Sequence, residues 1–140
     1  DIATIKSWGA DAVISLLEHF EYEELQVTKL PEIYQREFKV WYDLPIRDKC
    51  APDQHWLDNW LAVRGGICAG LNDGQKIMIH CKGGFGRTGT VAAMILMDFG
   101  YSAADAITTC RNARELSVET PAQEQFLTEY SQLLQPGSEL

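Results

Sequence analysis

The run Ile79-His80-Cys81-Lys82-Gly83-Gly84-Phe85-Gly86-Arg87-Thr88-Gly89 joins a cysteine to an arginine across a glycine-rich turn. Lys76 to His80 reads as a buried strand that delivers the cysteine. Arg87 to Phe99 is almost wholly apolar and reads as a buried helix. Glycines let successive backbone N–H groups point inward and form an anion nest. The helix start adds about half a positive charge. Arg87 adds a planar fork that can grip two phosphate oxygens. The same field favours the thiolate of Cys81. Such a loop would bind a phosphate through Lys82, Gly83, Gly84, Phe85, Gly86 and Arg87 and hold a thiolate beneath it.

Three blander readings compete. Gly84-x-Gly86-x-x-Gly89 matches the dinucleotide fingerprint, which also needs a second strand ending in an acidic residue about 20 positions on. Asp105 falls instead in a predicted helix. A Walker-type loop needs a lysine before the Ser/Thr, and none precedes Thr88. An ordinary buried thiol is the usual fate of a lone cysteine, but it does not explain His, Cys, turn glycines, Arg and Thr in one run.

The elements that must position this loop alternate. Asp1 to Lys6 reads as the start of a helix or its cap. Ala12 to Leu17 reads as a buried strand, and Glu18 to Leu30 as a loop with a short helix. Pro31 suits the first turn of a helix reaching about Glu37. Phe38 to Leu44 is rich in β-formers and ends at Pro45. From Pro52 the stripe Trp56, Trp60, Val63, Ile67, Leu71 predicts a helix, although Gly65-Gly66 costs it roughly 1 kcal/mol per glycine. Ser102-Ala103-Ala104-Asp105 and Thr120-Pro121-Ala122-Gln123 read as capping boxes that open two further helices. Strands alternating with helices predict an α/β fold, a compact and mainly parallel central sheet flanked by helices on both faces. Ligands then bind beyond the carboxyl ends of the strands, at Pro45–Pro52 and Cys81–Arg87.

The 140 residues fit a single domain spanning 1–140. Hydrophobic residues at 46% and charged residues at 23% exclude disorder and collagen-like structure. The longest apolar run, Val91 to Met97, is too short to span a bilayer, and no signal peptide opens the chain. The net charge of −8 argues against a nucleic-acid-binding face, while leaving room for a local anion site. Cys50, Cys68, Cys81 and Cys110 contain no C-x-x-C pair, so no metal site is expected. Free thiols without an export signal point to a cytoplasmic protein.

His80-Cys81…Arg87-Thr88 resembles the H-C-x5-R-[ST] signature of the cysteine-dependent protein phosphatases. The short chain resembles their compact dual-specificity branch, most closely the kinase-associated (cyclin-dependent kinase inhibitor phosphatase-like) group and its bacterial relatives. Pro45-Ile46-Arg47-Asp48 with Pro52-Asp53 is similar to that group's acid loop. Arg111-Asn112-Ala113-Arg114 and Thr120-Pro121-Ala122-Gln123 are similar to its later segments, so the likeness runs from about Asp1 to Leu134. Members of this group carry another strand-forming segment ahead of the position where this chain begins. An upstream segment, or a sheet without that edge, is therefore expected.

The resemblance implies hydrolysis of phosphate monoesters without metal or organic cofactor. Cys81 attacks phosphorus and Arg87 holds the equatorial oxygens. Thr88 resembles the hydroxyl that stabilises the departing thiolate, or is a helix cap. His80 orients the loop. The leaving oxygen needs an acid; Asp48 is favoured by its loop position, with Asp53 as the alternative. Gln123 resembles the glutamine that positions the hydrolytic water, or is only the capping partner of Thr120. Arg111 and Arg114 either line the rim or solvate a helix face. Cys50 is a candidate resolving thiol for an oxidised Cys81. The expected partner is a phosphorylated protein or another phosphate monoester. Phosphoinositides or inositol phosphates are the second substrate class, and an inactive phosphate-recognition module is the non-enzyme alternative. Rhodanese-like sulfur transfer needs no acid, and Asp48 with Arg87-Thr88 argues against it. The oligomeric state is not encoded in any of these features.

Overall fold

The computed structural model describes residues 2–82 and 86–135. Its sheet has three strands, β1 (Ala10–Ser15), β2 (Val40–Asp43) and β3 (Lys76–His80), in the order β2-β1-β3. Both pairings are parallel, as the alternation of strands and helices predicts. Seven helices are described: α1 (Ile2–Trp8), α2 (His19–Glu24), α3 (Leu30–Glu37), α4 (Gln54–Asn72), α5 (Gly86–Asp98), α6 (Ala103–Ala113) and α7 (Pro121–Leu133). None is long and apolar enough to cross a membrane.

The chain divides into two compact units, residues 1–45 with 54–80 and residues 46–53 with 81–140. The first holds the whole sheet. Val13 lies opposite Trp41 on one side and Met78 on the other, so these three side chains share a face. Tyr34 and Phe38, from α3 and the residue after it, form a buried cluster with Val13. Ile2 and Ile5 of α1, with Trp41 and Met78, close around it. The next residue along β2, Tyr42, points the other way. Its hydroxyl meets α4, 3.5 Å from where a Cβ on Gly66 would lie. Helices therefore cover both faces of the sheet within this unit. Trp56 and Trp60 of α4 are buried and stacked at 5.6 Å, and Trp56 Nε1 donates to the Leu44 carbonyl at 2.9 Å. That burial outweighs the cost of Gly65-Gly66, and the helix runs through both.

β1 begins and ends two residues earlier than its apolar run suggests. Leu16 and Leu17 remain fully buried beyond the ladder, and hydrophobicity does not mark where pairing stops.

The second unit packs α5 against α6 and α7. Val91, Ala93, Met94 and Met97 of α5, Ala106 and Cys110 of α6, and Leu127 and Tyr130 of α7 are buried. The Tyr130 hydroxyl donates to Asp98 at 2.7 Å and ties the end of α5 to α7. Ser102 caps α6 by accepting from the Asp105 N–H at 3.1 Å. Thr120 and Gln123 form the full reciprocal box that opens α7. The loops after β2 and β3, residues 46–53 and those from 81 onward, belong to this same unit.

Candidate active site

Cys81 follows directly on β3 and is half-buried. Its Sγ accepts a hydrogen bond from Thr88 Oγ1 at 3.1 Å. Because α5 already begins at Gly86, Thr88 lies inside the first turn, and its hydroxyl serves the sulfur instead of capping the helix. Gly83, Gly84 and Phe85, expected in the phosphate cradle, lie outside the described residues. Lys82 is exposed and Gly86 is buried.

Arg87 is a charged group held almost out of water, its side chain 1% exposed. Nη1 donates to the Ile46 carbonyl at 2.9 Å, and Nη2 stands 3.6 Å from Asp48 Oδ1. A buried guanidinium needs such acceptors, because an uncompensated charge in the interior is costly. Arg87 thus fastens the loop 46–53 to the start of α5 and brings the favoured acid within ion-pair distance. Asp48 remains half-exposed, open to an incoming leaving group.

Gln123 is fully buried and holds the other end of that loop. Its Oε1 accepts from the backbone N–H groups of Glu119 (2.8 Å) and Thr120 (3.2 Å), and its Nε2 donates to the Cys50 carbonyl at 3.2 Å. The capping box is therefore real, and the amide is also a brace between loop 46–53 and α7. The Cys50 side chain is exposed. Burial pushes the Cys110 thiol up, which holds it in the protonated, unreactive form.

Arg111 neither lines a rim nor merely solvates a helix. It donates to the carbonyls of Ser117 (3.1 Å) and Val118 (2.7 Å) and pairs with Glu124 at 2.6 Å, which fixes the loop between α6 and α7. Arg114 is exposed at the end of α6. In the sheet-bearing unit, His80 Nε2 lies 2.5 Å from the hydroxyl of Tyr34, with the rings tilted at 5.4 Å. Burial pushes the Tyr34 phenol up, so it stays neutral and can orient the imidazole. Tyr34 and the Ile46 carbonyl carried no sequence signal, since each acts across many residues. Among the described residues, no group of three or more His, Cys, Asp and Glu side chains is placed to hold a metal ion.

Residues 1–127 match the family model described as "Swiss Army Knife protein, DSP-PTPase phosphatase domain". The chain belongs to this phosphatase family. It is 29% identical over 133 residues to cyclin-dependent kinase inhibitor 3 of Rattus norvegicus, covering 93% of this chain and 61% of that protein. It is 33% identical over 141 residues to the phosphatidylglycerophosphate phosphatase PTPMT2 of Arabidopsis thaliana, covering 99% of this chain and 58% of that one. The chain thus spans about three fifths of the curated relatives' length. Kinase associated phosphatase, solved with its catalytic-site cysteine replaced by serine, superposes with a TM-score of 0.85 at 26% identity, over 96% of this chain and 75% of that one. Tk-PTP in its active form gives 0.72 at 30% identity, over 94% and 86%. The α/β fold with a parallel sheet is that of the dual-specificity phosphatases.

Proposed function

We propose that this chain hydrolyses phosphate monoesters, with phosphoproteins as the favoured substrates, through a phosphocysteine at Cys81. The observation that carries this reading is the buried Arg87, which meets Asp48 one residue before the threonine that donates to Cys81 Sγ. Nucleophile, anion clamp and acid then face one phosphate.

In the first step the Cys81 thiolate attacks phosphorus in line with the leaving oxygen. The S–P bond forms, the P–O bond breaks, and Asp48 gives its proton to the departing oxygen. Arg87 and the N–H groups at the start of α5, with Lys82 and the glycine turn Gly83–Gly86, hold the equatorial oxygens as their charge redistributes. In the second step water attacks phosphorus, its proton passes to the Asp48 carboxylate, and the electron pair of the S–P bond returns to Cys81. The Thr88 hydroxyl steadies the returning thiolate. His80, oriented by Tyr34, sets the strand end from which Cys81 emerges. The chain acts as a single phosphatase domain in the cytoplasm.

The Arabidopsis relative, named for phosphatidylglycerophosphate, supports a second reading in which the monoester is a lipid or inositol phosphate. A substrate panel separates the two: p-nitrophenyl phosphate, phosphopeptides, phosphoinositides and phosphatidylglycerophosphate are compared by kcat/KM. Cys81→Ser should abolish turnover on every substrate while tungstate still binds. Appreciable residual turnover in that variant overturns the phosphocysteine reading. An intact Cys81 enzyme that binds tungstate but turns over nothing is the recognition module instead.

A further inference from the structure

The loop between α6 and α7 is built at visible cost. Val118 is β-branched, 1% exposed, and sits at φ +55°, a left-handed conformation that such side chains rarely adopt. Backbone strain of this kind persists only where its surroundings over-determine it, and it gathers at functional positions. Here Arg111 grips the carbonyls of Ser117 and Val118, and Gln123 Oε1 holds the N–H of Glu119. The strained loop is pressed onto the first turn of α5. A Cβ on Gly89 would lie 2.8 Å from the Ser117 Cα and from the Val118 N. A Cβ on Gly86 would lie 2.9 Å from the Glu119 Cβ.

The result is a fixed backbone carrying a loose carboxylate. Glu119 is exposed, and among the described residues no hydrogen bond or ion pair holds its side chain. It starts beside Gly86, immediately before the arginine that clamps phosphate. Gln123, by contrast, has no exposure, and both ends of its amide are engaged. Of these two side chains, Glu119 is the one exposed to water.

We propose that Glu119 is a further catalytic residue of the second step, accepting a hydrogen bond from the attacking water and aiming its oxygen at the phosphocysteine. The inference rests on the phosphocysteine reading above. The bonds are those already given: O–P forms, S–P breaks, the pair returns to Cys81, and the proton goes to the Asp48 carboxylate. Glu119 supplies orientation, so it acts after the leaving group has gone and leaves the first step alone.

The experiment is a rapid-quench time course with p-nitrophenyl phosphate on wild type, Glu119→Ala and Glu119→Gln, each checked for an unchanged melting temperature. Glu119→Ala should keep the rate of the first p-nitrophenol release and slow steady-state turnover about tenfold or more, the scale of a lost orienting contact. Acid-stable phosphoenzyme should accumulate to match. Glu119→Gln keeps an oxygen acceptor and should recover part of the rate. Wild-type turnover and phosphoenzyme in Glu119→Ala overturn the proposal. Equal slowing of release and turnover also overturns it, because the residue then only shapes the loop. Failure of the underlying mechanism reads differently: no phosphoenzyme in any variant, with turnover surviving Cys81→Ser.

Discussion

α4 and α5 each follow a strand and a loop, and each carries glycines, yet the adjacent pair Gly65-Gly66 of α4 and the pair Gly86 and Gly89 of α5 are treated in opposite ways. Around Gly65 there is open space, and a Cβ on Gly66 would meet only the Tyr42 hydroxyl at an ordinary 3.5 Å. Gly86 and Gly89 face backbone and Cβ atoms at 2.6 to 2.9 Å. The opening turns differ as well. α4 buries a tryptophan that reaches back to one carbonyl, whereas α5 buries an arginine that fastens a neighbouring loop. At Gly65-Gly66 the glycines are a cost that apolar burial carries, while Gly70, near the end of α4, is approached by the Gln75 side chain. In α5 the missing side chains of Gly86 and Gly89 are the space through which the loop between α6 and α7 approaches the start of the helix. A glycine in a helix therefore has no fixed meaning, and what faces it decides.

The largest effect expected at the crowded helix belongs to Arg87. Lysine keeps the charge but cannot donate to the Ile46 carbonyl and grip two phosphate oxygens together. Arg87→Lys should lower kcat by on the order of 10³-fold, the scale of arginine contributions to phosphoryl transfer, and weaken tungstate binding. Near wild-type kinetics would show that the Arg87 fork is structural, and the contrast with α4 would lose its functional half.

Asp48→Asn comes next and tests what the fastened loop presents. A basic leaving oxygen needs the proton most, so an alkyl phosphate should lose about 10²-fold in kcat. An activated aryl phosphate should lose far less. Asp53→Asn is the control and should leave the leaving-group dependence intact. If the two variants exchange behaviours, Asp53 is the acid. If neither alters that dependence, the proton comes from elsewhere.

Gly89→Ala addresses the crowding itself. The new methyl would meet the backbone of Ser117 and Val118, which cannot rotate away. Overpacking of this kind costs about 1–3 kcal/mol, a fall in melting temperature of roughly 4 °C per kcal/mol for a chain of this size. Turnover should fall as well, because the strained loop would be displaced from the start of α5. A stable and fully active Gly89→Ala protein would mean that the loop yields easily, and the strain at Val118 would need another explanation.

The same regions also divide what was legible in the sequence from what was not. Cys81, Arg87 and Thr88 stand on one continuous run, so spacing along a strand, turn and helix start sufficed to group them. The Thr120–Gln123 box was legible for the same reason, since a capping pair lies within one turn. β3 could be bounded because a turn and a glycine-rich loop flank it, while β1 could not, since buried residues run past its ladder. Glu119 was missed because its contact with Gly86 depends on a left-handed Val118. Sequence marks such a turn by Gly or Asn, and valine gives no warning. Arg111 looked like one of two surface arginines, and only the folded loop reveals the carbonyls it collects. Asp48 fell between these cases, its loop readable from Pro45 and Pro52 but its distance to Arg87 set wholly by tertiary structure.

The smallest effect expected is at the uncrowded glycine pair of α4, and it runs the other way. Gly65 lies inside α4, makes no close contact, and sits far along the chain from the residues gathered at the start of α5. Alanine at such a site restricts the unfolded chain and removes a helix penalty, for a gain of about 0.5–1 kcal/mol. Gly65→Ala should therefore raise the melting temperature by a few degrees and leave kcat and KM on p-nitrophenyl phosphate unchanged. Thermal unfolding and steady-state kinetics on the same preparation check both halves. A loss of stability would mean that α4 needs the flexibility or the bare surface of Gly65. A loss of activity at full stability would mean that something docks there during turnover, and α4 would then join α5 as a helix whose glycines serve the site.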